Sequence, residues 1–138
     1  MRLLDLEPQF CRRVVKVEQY STLKAGRDPL AKSFTDDDFE LVTGPREYRH
    51  PVDALADADG ISFLCPKCVD DQDRGHSVIC WFEGRVPGDA TPGPGRWNPT
   101  GSGYADLSFV PGAKSNSVRL IGGCNAHFMV ENGAVEIT

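Results

Sequence analysis

Two short motifs constrain this chain more than any other feature. Cys65-Pro66-Lys67-Cys68 and Cys124-Asn125-Ala126-His127 each carry two soft metal donors three positions apart. Donors at that spacing can grip one tetrahedral ion when the backbone turns between them, and two such pairs complete its shell. Pro66 fixes one φ inside the first turn, and Gly122-Gly123 lets the chain bend tightly before the second. The pairs lie 56 residues apart. The fold must therefore bring two distant turns together, which a β domain with many turns can do. The expected ligands are Cys65, Cys68, Cys124 and His127, and the expected ion is zinc.

His76 keeps the assignment open. It follows Cys68 by eight residues. It can replace Cys124 or His127 as a ligand, support a ligand through a hydrogen bond, or act as an acid or base beside an open metal position. It can also be a plain turn histidine after Gly75. A Cys-x-x-Cys is also a redox dithiol in some folds, but there it opens a helix in an α/β protein. Here it follows the apolar run Ile61-Ser62-Phe63-Leu64 and precedes the polar Val69-Asp70-Asp71-Gln72-Asp73. Five cysteines is an odd number, which suits metal binding in a reducing compartment better than a disulfide framework. Cys80 reads as a core residue, Cys11 as a semi-buried thiol and His50 as a surface residue.

A length of 138 residues suits a single domain with a real core. Its 14 Gly and 10 Pro favour short elements and frequent turns over long helices. The net charge of −5 is uneven: residues 1–73 hold 10 Lys and Arg against 15 Asp and Glu, and residues 74–138 hold 5 of each. Arg85, Arg96, Lys114 and Arg119 are too scattered to form a basic run. Broad electrostatic binding to nucleic acid is therefore not expected. No apolar stretch approaches the roughly 20 residues of a membrane helix. The first residues, MRLLDLEPQF, carry acids where a signal peptide keeps its apolar core. The expectation is a soluble, cytoplasmic protein.

The fold class read from these patterns is mainly β: a small antiparallel domain around one zinc site, with a short helix before it. Residues 1–57 are poorly readable. Val14-Val15-Lys16-Val17 and Phe39-Glu40-Leu41-Val42 look like short strands, with Gly26, Pro29 and the acidic run Asp36-Asp37-Asp38 marking turns, a solvated loop or a helix start. Pro51 to Asp59 reads as a short helix stopped by Gly60. Asp53, Asp57 and Asp59 lack the ligand series of a calcium loop.

Residues 58–138 form the expected zinc-binding β region. Ile61 to Leu64 is a strand leading into the cysteine pair. Ser77 to Phe82 alternates with Val78, Cys80 and Phe82 on one side and Ile79 and Trp81 on the other; both sides are apolar, which predicts a central strand. Arg85 to Pro99 is a loop rich in Pro and Gly. Asp106 to Val110 and Ser117 to Ile121 are further strands. Asn132-Gly133 joins the last hairpin, because both turn positions need positive φ. Trp97 and Tyr104 bracket a polar segment that can either line a ligand surface or plug the core. No nucleophile elbow, phosphate loop or dinucleotide fingerprint is present.

Several stretches together resemble a family of small uncharacterised zinc-binding proteins found in phages, prophages and bacteria. They are Ala58-Asp59-Gly60-Ile61-Ser62-Phe63-Leu64-Cys65-Pro66-Lys67-Cys68, Gly75-His76, Gly95-Arg96-Trp97, Asp106-Leu107-Ser108-Phe109, and Gly123-Cys124-Asn125-Ala126-His127-Phe128-Met129-Val130-Glu131-Asn132-Gly133. The resemblance covers about residues 58–138 and implies a zinc-binding β domain without an assigned reaction. Some bacterial relatives are encoded beside ubiquitin-like conjugation genes, which implies an accessory or interaction role. A phage origin would place the protein in the host cytoplasm.

Together these readings predict an interaction or accessory module with a structural zinc and a protein partner, met by the face from Arg85 to Tyr104. The alternative is a zinc-dependent hydrolase, such as a nuclease, using an open metal position near His76. A nucleic-acid-binding zinc ribbon is a third reading, weakened by the acidity.

Overall fold

The computed structural model describes residues 1–69, 75–112, 116–121 and 123–138. The polar run Asp70-Asp71-Gln72-Asp73, Lys114 and Gly122, all used above, lie outside the described residues. The protein is mainly β with antiparallel sheets, and no long helix occurs among the described residues. The strands are β1 (Gln9–Leu23), β2 (Phe39–Pro51), β3 (Gly60–Leu64), β4 (Ser77–Trp81), β5 (Asn98–Thr100), β6 (Ser108–Val110), β7 (Val118–Arg119), β8 (His127–Glu131) and β9 (Ala134–Ile137). They pair in the orders β2-β1-β3-β4, β5-β6 and β7-β8-β9.

The chain divides into two compact units, Met1–Arg13 with Arg49–Thr138, and Val14–Tyr48. β1 and β2 run through both. In the smaller unit these strands are far longer than the four-residue segments read from the sequence. None of its residues is buried, so no apolar face alternates with a polar one and the period-2 signal is weak. Cross-strand side chains hold it instead. The Arg46 guanidinium lies 4.7 Å from the Tyr20 ring centre, and the Lys16 ammonium 5.6 Å from that of Tyr48. The Tyr48 hydroxyl donates to Glu18. The acidic run is a single 3-10 turn closed by a capping box: Thr35 N donates to Asp38 Oδ2 at 2.8 Å, and the Asp38 carboxylate also meets Arg27 at 3.0 Å.

The larger unit holds the core. In β3, Ile61 and Phe63, with Cys65 just after it, point inward at 0–1 % exposure. They meet Phe10 from β1, Val78 and Phe82 from the β4 region, and Phe128 and Val130 from β8. Leu3 and Leu6 join the same core because Leu3 N donates to Gly133 O at 2.8 Å and Val135 N to Met1 O at 2.7 Å. Gly60 is required where β3 faces β4: a Cβ there would lie 2.6 Å from the Trp81 ring and 2.8 Å from the Cys80 carbonyl oxygen.

β4 ends its sheet rather than lying centrally, yet both of its faces are buried as expected. Val78 and Cys80, continued by Phe82, face the main core. Ile79 and Trp81 face a second cluster with Cys11 and Ala90. The Pro/Gly-rich loop supplies that second cover. Trp81 Nε1 donates to Thr91 O at 2.8 Å, and Trp97 N donates to Trp81 O at 3.1 Å, so the loop returns along the β4 edge. Arg96 organises the loop from within, donating to the carbonyls of Ala90 at 2.9 Å, Pro92 at 3.0 Å and Gly95 at 2.6 Å.

The helix read over Pro51 to Asp59 is only a 3-10 turn, Leu55–Asp57. Pro51 closes β2, where a missing N–H is tolerated at a strand end. The Asn132-Gly133 turn forms as expected, with φ of 50° and 75°.

Candidate metal centre

The β3–β4 hairpin builds most of the site. Its ladder ends at Leu64 opposite Ser77, and the next pair continues it, with Cys65 N donating to His76 O at 2.8 Å. Residues 65 and 76 are thereby fixed face to face. Cys68 N donates to Cys65 O at 3.1 Å, which closes the knuckle and returns the second sulfur to the first. The other side is the turn between β7 and β8, closed by Leu120 N donating to Ala126 O at 2.8 Å. Gly123 and Asn125, at φ 56° and 53°, flank Cys124 in that turn. Lys67 links the two sides by donating to the Cys124 carbonyl at 2.6 Å.

Cys65, Cys68, His76 and Cys124 place one donor atom each within 4.8 Å of one another. Cys65 Sγ and Cys124 Sγ are 3.8 Å apart, and Cys124 Sγ lies 3.4 Å from His76 Nε2. All five cysteines are free thiols. A tetrahedral ion with metal–sulfur bonds of about 2.3 Å needs sulfur–sulfur edges of about 3.8 Å and slightly shorter sulfur–nitrogen edges. These two edges match a tetrahedral ion, and three thiols with one imidazole suit its chemistry.

The structure brings together three of the four residues expected as ligands and adds His76, which the sequence had held as a replacement. His127 stands outside the group. It opens β8, where Phe128 and Val130 turn to the core, and its Nδ1 lies 2.7 Å from Thr138 Oγ1. The signal that selects His76 is the hairpin register, since a ladder running through Leu64 and Ser77 sets residue 76 beside residue 65.

The electrostatics describe a cluster ready for a cation. Hydrogen bonding from His76, then from the Ala126 N–H, brings the Cys124 thiol down to about 6. Burial, then sharing with Cys124 and Cys65, pushes the Cys68 thiol up to about 11. One thiolate forms readily, and a second beside it is resisted until a positive ion compensates. The remaining thiols are of another kind. Burial raises Cys11 to about 11 and raises Cys80 further.

Trp97 and Tyr104 are both half-buried. Trp97 Nε1 donates to Ser117 O at 3.0 Å, and the Tyr104 hydroxyl accepts from Phe10 N at 2.9 Å while its ring stacks on Phe10 at 4.3 Å. Tyr104 therefore serves the core. A cleft of about 1050 Å³ opens beside the Cys/His cluster, with Cys68, His76 and Cys124 on its wall.

The fold and site define a small antiparallel β protein carrying a Cys₃His candidate metal centre. Compared with protein-family models, curated proteins and solved structures, the chain matches none. No helix among the described residues is long and apolar enough to cross a membrane.

Proposed function

We propose that Cys65, Cys68, His76 and Cys124 hold one structural zinc ion, and that the protein works as an interaction or accessory module whose fold this ion secures. The observation that carries the reading is the gathering of four donors within 4.8 Å, with the Cys65 and Cys124 sulfurs 3.8 Å apart on turns distant in the chain. Zinc suits three thiolates and an imidazole better than harder cations do, and it has no redox chemistry of its own. Four protein donors fill the shell, so no position remains for a reactive water. That weighs against a hydrolase, because His76, the group it needs as a free acid or base, is itself a donor. The accessory role and a phage origin are part of the same proposal and rest on the motif resemblance alone.

The test is metal analysis of reduced protein beside three variants. One zinc per chain should be present in the parent and in His127→Ala, and lost from Cys65→Ser and His76→Ala. Zinc kept by His76→Ala but lost by His127→Ala would reverse the ligand assignment. A metal-free parent refolded with zinc would overturn the reading.

A further inference from the structure

The cleft of about 1050 Å³ beside the Cys/His cluster has a chemistry of its own. Pro92, Pro94 and Trp97 form one apolar wall, and Ile79, Leu120 and Ile121 contribute another. The first wall is built before any ligand arrives. Arg96 and the Trp81 and Trp97 indoles pin the loop to backbone carbonyls, so little ordering is left for binding to require.

The polar groups are few and uneven. Arg96 and Arg119 line the cleft, and no Asp or Glu does so among the described residues. Arg96 spends its donors on its own loop. Arg119, on the short strand β7, is exposed, and its side chain makes no hydrogen bond or ion pair with another described residue. Among the described residues, Arg96 and Arg119 are the only Lys, Arg, Asp or Glu side chains in the lining. An apolar cleft with one uncommitted guanidinium suits a ligand with a flat apolar body and a single anionic head.

We infer that this cleft is a binding site for a small aromatic anion, with Arg119 meeting the anionic group and the Pro92–Trp97 wall meeting the ring. The inference goes beyond the structural-zinc reading and does not need it.

The test uses two probes that share an aromatic body: 1-anilinonaphthalene-8-sulfonate, which is anionic, and N-phenyl-1-naphthylamine, which is neutral. Both are titrated against the full chain and against Arg119→Gln and Arg119→Lys. The parent should bind one sulfonate probe per chain. Arg119→Gln should weaken it about tenfold while leaving the neutral probe unchanged, and Arg119→Lys should retain much of the binding. In nitrogen-edited NMR spectra the Trp97 indole should shift and the fully buried Trp81 indole should not. Unchanged sulfonate binding in Arg119→Gln, equal binding of both probes by the parent, several probes per chain, or an unmoved Trp97 indole would each overturn the proposal. Zinc content and melting temperature read on the same samples keep failure here separate from failure of the metal assignment.

Discussion

At the scale of single residues, five thiols fall into two populations that reagents can separate. Cys11 and Cys80 are buried, and burial holds them protonated. Cys65, Cys68 and Cys124 share the Cys/His cluster that could hold a metal ion. In native zinc-loaded protein a thiol reagent should find no fast-reacting group. With a chelator present, three thiols should react per zinc released, while Cys11 and Cys80 stay silent until unfolding. Five thiols reacting together would mean that the chelated chain has no folded core. A second residue-level prediction concerns Gly60, whose missing Cβ makes room for Trp81. Gly60→Ala should destabilise the protein by about 1–3 kcal/mol, read by denaturant unfolding, because the ring and the facing carbonyl must both move.

The fourth donor of the proposed site shows what is and is not legible at this scale. Cys65, Cys68 and Cys124 announce themselves by spacing. The histidine does not, because Cys124-x-x-His127 has the same form as a ligand pair. Only the register of two strands tells that His76 faces Cys65 and that His127 turns toward Thr138. Register is a property of pairing, and the sequence near either histidine does not contain it.

At the scale of elements, legibility follows burial. β4 showed both of its faces because each has a core to meet, and the last hairpin showed itself through Asn132-Gly133. β1 and β2 were read as fragments because residues 14–48 bury nothing, so their side chains keep no period. Pro51 suits a helix start and a strand end equally, and here it ends β2. The segment 25–35, exposed throughout, is where limited proteolysis should begin: trypsin should cut first after Arg27 or Lys32. A first cut after Arg85 or Arg96 would contradict the anchoring of the long loop.

The turn from Gly101 to Asp106 gives the pH dependence. Asp106 accepts from Ser102 N at 2.9 Å, Ser102 Oγ at 2.8 Å and Gly103 N at 2.9 Å, and these bonds hold its carboxyl below its ordinary value. A depressed folded pKa adds stability that is complete above the unfolded value of 3.8 and disappears as pH falls through the lower folded one. Asp106→Asn should therefore melt below the parent at pH 7, and the gap should close as pH falls below about 4. A gap independent of pH would show that shape, not charge, holds the turn.

At the scale of the whole molecule, the proposed ion joins residues 59 positions apart, Cys65 and Cys124. Tying such a loop removes freedom from the unfolded chain worth about 4 kcal/mol by the argument used for disulfides. For a chain of this size that corresponds to a melting temperature roughly 10–20 °C higher. Calorimetry with and without a chelator should show a loss of that order, restored by zinc. A shift of a degree or two would mean that the large core around Phe63 and Phe128 holds the fold alone.

The hairpin that carries Cys65, Cys68 and His76 also sets an order of events during synthesis. Three donors leave the ribosome together, while Cys124 follows His76 by 48 residues. At about 5–20 residues per second the interval is roughly 2–10 s. A nascent chain therefore presents a three-donor site well before the closing cysteine exists. An ion caught at that stage would act as a starting point around which the last three strands assemble.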